Sequence, residues 1–104
     1  MKLRVSNVAI ERYRSWAEDD GDRKDRSPKQ IRHIVVNGVR SSSGFQQLER
    51  LLGLGEPLLH HKITVDLYDQ ESYFGRFVVV LGKDRHKDIV YDVITLYPED
   101  FTQE

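Results

Sequence analysis

One cation interrupts the most apolar stretch of this 104-residue chain: Arg76, which stands between Gly75 and Phe77 in the run from Tyr73 to Leu81. A guanidinium buried without a partner is costly, so a carboxylate or an anionic ligand has to compensate it. Just upstream, Lys62, Thr64, Asp66 and Tyr68 alternate with Ile63, Val65 and Leu67, which places the polar set on one side of a strand. Further on, Tyr91, Thr95 and Tyr97 alternate in the same way. If these groups share one face, it offers cations for a phosphate and phenols for stacking or proton transfer. The ordinary alternative pairs Arg76 with Asp66 or Asp92 and attributes the tyrosines to strand propensity.

A second set of cations, Arg12, Arg14, Lys29 and Arg32, would form a basic helix surface for RNA. Glu11, Glu18, Asp20 and Asp22 offset them nearby, which favours a solvated face of mixed charge. Other chemistries find no support. His60 and His61 are adjacent, and adjacent strand residues point to opposite faces, so they do not ligate one metal ion. Gly53-Leu54-Gly55 lacks the Lys-Ser/Thr of a phosphate loop and follows a helix instead of opening one. Ser41, Ser42 and Ser43 have none of the strand–turn–helix context of a nucleophile elbow. The chain has no cysteine, which removes disulfides and thiolate chemistry and fits a reducing compartment.

These residues need a scaffold, and periodicity outlines it. Leu3–Val5 suits an edge strand. Ala9, Tyr13, Trp16 and Ala17 form one helical stripe over residues 8–18, capped by Ser6 or Asn7. Residues 19–26 contain no apolar side chain and read as a mobile surface loop. Ser27-Pro28-Lys29-Gln30 carries a capping box and a proline suited to the first helical turn. The helix it starts should bury Ile31, Ile34 and Val35 and end at Asn37-Gly38. Ser43 and Gln46 repeat the box ahead of a short third helix through Phe45, Leu48, Leu51 and Leu52. From His61 the period becomes two, predicting strands near 62–68, 74–82 and 89–97. Between them lie a turn at 69–72 and a polar loop at 82–88. The inward face of the last strand is ambiguous, because Val90, Ile94 and Leu96 share their side with Asp92. The expected fold is one α+β domain over residues 1–104. Its N-terminal helices pack on one face of a three- to four-stranded antiparallel β-meander.

The charge balance, 16 basic against 17 acidic residues, gives no global excess of the kind that marks nucleic-acid binders, though a local basic face would still steer an anion. The N-terminus lacks the apolar run of a signal peptide, and no stretch approaches the roughly 20 apolar residues of a membrane span. A soluble, cytoplasmic protein is expected.

Several phrases carry a resemblance. Ala9-Ile10-Glu11-Arg12 opens the first helix as Ala-x-x-Arg. The capped second helix runs from Ser27 to Gly38, and the last strand reads Val93-Ile94-Thr95-Leu96-Tyr97-Pro98. In this order they resemble the small ribonuclease-toxin superfamily that includes RelE and BrnT, of the barnase–EndoU–colicin–RelE type. Many relatives have a histidine just before the first-helix alanine, where this chain has Asn7-Val8. Residues 19–26 and 41–57 also exceed the compact pattern. The resemblance implies metal-independent cleavage of RNA by the ribose 2′-hydroxyl, without a cofactor. Arg76 and Lys62 would be the cations, with Tyr68, Tyr91, Tyr97 or His61 as proton-transfer groups. The rival reading is a non-catalytic interaction module of a phage, plasmid or mobile element. The partners that follow are an RNA, an antitoxin or other protein, or a second copy of the chain.

Overall fold

The computed structural model describes residues 2–18, 21–53, 60–83 and 90–101, excluding the side chains of residues 22, 51–53, 83 and 90. The elements run β1 (Lys2–Val5), α1 (Asn7–Trp16), α2 (Gly21–Lys24), α3 (Pro28–Arg40), α4 (Ser43–Gly53), β2 (His60–Asp69), β3 (Ser72–Lys83) and β4 (Val90–Pro98). The four strands form one sheet in the order β1-β4-β3-β2. The last three make the expected antiparallel meander, whereas β1 pairs in parallel with β4. The fold is therefore α+β with a mixed sheet, and the helices are not N-terminal to all of it, because β1 precedes them. A parallel neighbour requires a long crossover, and the whole helical segment together with β2 and β3 supplies it. Among the described residues no helix is long and apolar enough to cross a membrane.

One face of the sheet is buried under the helices. Ile63, Val65 and Leu67 from β2, Phe77, Val79 and Leu81 from β3, and Tyr91, Val93 and Leu96 from β4 meet Ala9, Ile10, Tyr13, Ile31, Val35, Val39, Phe45 and Leu48. The helix starts follow side-chain chemistry. Ser6 Oγ accepts from the Ala9 amide at 3.1 Å, and Ser27 and Gln30 complete the capping box. The third cap is Ser42, not Ser43, since its Oγ accepts from the Phe45 amide at 3.2 Å. Asn37-Gly38 does not end α3, which continues to Arg40. Gly38 instead lets α3 approach the backbone of β2. A methyl group there would lie 2.7 Å from Leu67 Cδ2 and 3.1 Å from the Asp66 carbonyl oxygen.

Two bulges decide which side chains face outward. In β4 the register passes from Val80↔Thr95 to Leu81↔Val93, which leaves Ile94 extra. Tyr91 and Val93 thus point into the core, Leu96 does too, and Thr95 and Tyr97 point out. This resolves the ambiguous face of the last strand: neither single phase is right. Ser6 stabilises the irregularity, its Oγ donating to the Ile94 carbonyl at 2.8 Å and its amide to that of Val93 at 3.0 Å. In β3, Leu67↔Gly75 is followed by Tyr68↔Tyr73. Phe74 is the additional residue, turned against Tyr13 with ring centroids 5.1 Å apart.

The segment read as an unanchored loop contains the helical turn α2 and is held by arginines. Arg23 donates to Ser72 Oγ at 2.7 Å and to the Tyr73 carbonyl at 3.1 Å, with its guanidinium 4.9 Å from the Phe74 ring centre. Arg26 pairs with the buried Asp69 at 3.1 Å. Residues 19 and 20, most of the loop at 82–88, and Leu54 and Gly55 lie outside the described residues.

Candidate functional site

The face turned away from the helices is open. Registers Lys62↔Val80, Thr64↔Val78 and Asp66↔Arg76 on one side, and Val80↔Thr95 and Val78↔Tyr97 on the other, put these side chains on a common surface. The expected shared face therefore exists, except that Tyr91 and His61 are not on it. Tyr91 is fully buried among the helices, where loss of hydration pushes its phenol pKa up. His61 has the inward parity of Ile63 and Val65 and is half-buried, whereas His60 is exposed. Among the described residues no three potential ligands are grouped to hold a metal ion.

Arg76 is exposed and compensated twice, by Asp66 Oδ1 at 3.4 Å and Glu99 Oε2 at 3.5 Å. The Glu99 amide also donates to the Arg76 carbonyl at 3.0 Å, fixing that carboxylate beside it. Asp92 is engaged elsewhere, by Arg4 at 2.8 Å. Tyr73 donates its hydroxyl to Asp66 Oδ1 at 2.9 Å, and this bond raises the Tyr73 pKa. Arg76 and Tyr68 border a cavity of about 910 Å³ beside α3, together with Arg26, His33 and Asn37. His33 carries no sequence motif that singles it out.

Lys62 sits elsewhere on the same face. Four residues separate its register position from that of Arg76, roughly 13 Å at strand spacing. It lines a cavity of about 350 Å³ with Arg12, Trp16, Thr95, Tyr97 and Phe101. Arg12 reaches it because α1 follows β1 and runs beside the second half of β4, beyond the point where β1 ends. Trp16 is partly buried against the core and meets Phe101 edge-on at 5.0 Å, and Phe101 lies 6.3 Å from Tyr97. The indole Nε1 is buried and has no hydrogen-bond partner among the described residues. No carboxylate lies within 4 Å of the charged groups of Arg12 or Lys62 among the described residues, in contrast to Arg4 and Arg76 on the same face.

The basic helix set is thus divided. Arg12 joins Lys62, while Arg14 is tied to Glu11 at 3.0 Å and donates to the Arg26 carbonyl at 3.2 Å. Lys29 and Arg32 stand exposed on α3, in the helical layer. Chemically, the Lys62 cavity combines two cations, a phenol, a threonine hydroxyl and two aromatic walls. Those groups suit an anion joined to a planar ring. Comparison with known protein families, with curated proteins and with solved structures returns no match.

Proposed function

We propose that the chain is a RelE- or BrnT-like domain that acts on RNA in the cytoplasm and binds phosphate at the Arg12–Lys62–Tyr97 cavity. One observation carries the reading. Two cations from different elements line one recess without carboxylate partners among the described residues, and hydroxyls and aromatic rings flank them. Unneutralised cations lining one recess repel, and a phosphate bound there relieves that repulsion. Trp16, Tyr97 and Phe101 offer π-faces of the kind on which bases stack.

Cleavage in this reading follows the 2′-hydroxyl route. The 2′-oxygen attacks phosphorus, the bond to the 5′-oxygen breaks, and a cyclic phosphate and a free 5′-hydroxyl result. The 2′-proton passes to a base, and the leaving oxygen takes up a proton. Arg12 and Lys62 stabilise the charge on the phosphorane oxygens, and the Tyr97 hydroxyl is the proton-transfer group that lines the same recess. Arg76, held by two carboxylates, takes no part at this phosphate. The test is cleavage of a labelled single-stranded RNA in excess chelator. Cleavage should fall at least about 100-fold in Lys62→Ala, the scale of losing a transition-state charge partner, and Tyr97→Phe should be impaired while still binding. A wild type that neither binds nor cuts RNA would refute the proposal.

The second reading, a protein-interaction module, is favoured by the neutralisation of Arg76 by Asp66 and Glu99. In that case wild type neither binds nor cuts RNA, and the partner is another protein or a second copy.

A further inference from the structure

We infer that the exposed Tyr68–Tyr73 pair is a base-stacking platform, so that the open sheet face takes single-stranded rather than duplex RNA; this rests on the phosphate reading of the Lys62 cavity. The two tyrosines are neighbours only because of the bulge at Phe74. It brings Tyr73 opposite Tyr68 and sends the phenylalanine into the core. Their rings lie 5.2 Å apart with a 52° tilt, and they remain 54% and 50% exposed. Two large exposed aromatics side by side on an open sheet face call for a ligand.

The platform is also rigid on one side. The Tyr73 hydroxyl is fixed by Asp66, Asp66 by Arg76 and Arg76 by Glu99. This relay gives Arg76 a positioning role: it holds the acid that orients Tyr73. Arg23 secures the strand from below, donating to the Tyr73 carbonyl. Tyr68 makes no such bond among the described residues and can turn its ring to a base.

The occupant follows from where the charge lies. Lys62 and Tyr68 are six residues apart on the same face of β2, roughly 20 Å at strand spacing. A polyanion anchored by phosphate between Lys62 and Arg12 and running along β2 reaches Tyr68 a few nucleotides later. Only unpaired bases can present a face to an isolated phenol, since those of a duplex are already stacked on each other. An extended single strand fits both ends, whereas a duplex fits only the phosphate end.

The experiment is fluorescence anisotropy of the full chain with a labelled single-stranded oligoadenylate and with a labelled RNA hairpin of equal length. Wild type should bind the single strand at least tenfold more tightly than the hairpin. Tyr68→Ala should lose about tenfold on the single strand with an unchanged circular dichroism spectrum, and Tyr68→Trp should restore it. If Lys62→Ala weakens single-strand binding but Tyr68→Ala does not, the platform is wrong and the phosphate reading survives. Failure of wild type to bind either RNA overturns both, and equal affinity for strand and hairpin overturns the platform.

Discussion

Tyr13 shows how one side chain couples the core to the polar segment that precedes α3. It is fully buried, and its hydroxyl donates to Asp69 Oδ2 at 3.4 Å. Asp69 is itself held by Arg26 Nε at 3.1 Å. Burial first, and then the adjacent carboxylate, push the Tyr13 pKa well above its ordinary 10.0. The phenol is neutral when protonated, so the folded state keeps a proton that the unfolded chain gives up near pH 10. Stability from this group is therefore complete below about pH 10 and is lost as pH rises above it. Tyr91, raised by burial, acts in the same direction. Urea midpoints measured from about pH 9 to about pH 11 should fall, and less steeply in Tyr13→Phe than in wild type. That variant should also be destabilised by about 1 kcal/mol at neutral pH, since Asp69 loses a donor but keeps Arg26. Equal alkaline slopes would show that Tyr13 is not protected as described.

At the scale of elements, the helix caps and the meander are legible in the sequence because their signals are local: Ser27 and Gln30 are three residues apart, and apolar alternation needs only a strand's length. The bulge at Ile94 is not legible. Both phases of β4 bury apolar residues, and the group that stabilises the extra residue is Ser6, 88 positions away. Tyr91 and Tyr97 consequently look like one set in sequence and lie on opposite faces. The arginine anchors are hidden for the same reason, because Arg26 and Asp69 are 43 residues apart. The Asp66 partner of Arg76 is one of two that the sequence offers, since strand pairing limits the candidates. Gly38 reads as a stop because a glycine signals a helix end and a close approach equally. Gly38→Ala tests the second role. Alanine gains up to about 1 kcal/mol in helix propensity, but its methyl meets the buried Leu67 side chain and the Asp66 carbonyl oxygen. Overpacking of this kind costs about 1–3 kcal/mol, so we expect net destabilisation by about 1 kcal/mol in denaturant unfolding. Gly21→Ala, where an added methyl meets nothing within 4 Å, should show no such loss.

For the molecule as a whole, a net charge of −1 hides an uneven distribution. Residues 26–48 contain Arg26, Lys29, Arg32 and Arg40 and no acid, so the helical layer is a competing electrostatic attractor for any polyanion. The proposed site differs from it in kind: Arg12 and Lys62 converge on a recess, whereas Lys29 and Arg32 stand exposed on a helix. Salt dependence tells the two apart, because each phosphate neutralised on a single strand adds about 0.7 to the slope of log K against log salt. Lys62→Ala and Arg12→Ala should each lower that slope by about 0.7, and Tyr68→Ala should weaken binding with the slope unchanged, since stacking releases no counterions. Lys29→Ala should alter neither. Titrations of one single-stranded RNA at several salt concentrations measure all four variants. If Lys29→Ala lowers the slope as much as Lys62→Ala, the chain attracts RNA diffusely through its basic helices, and the open face has no claim to be the site.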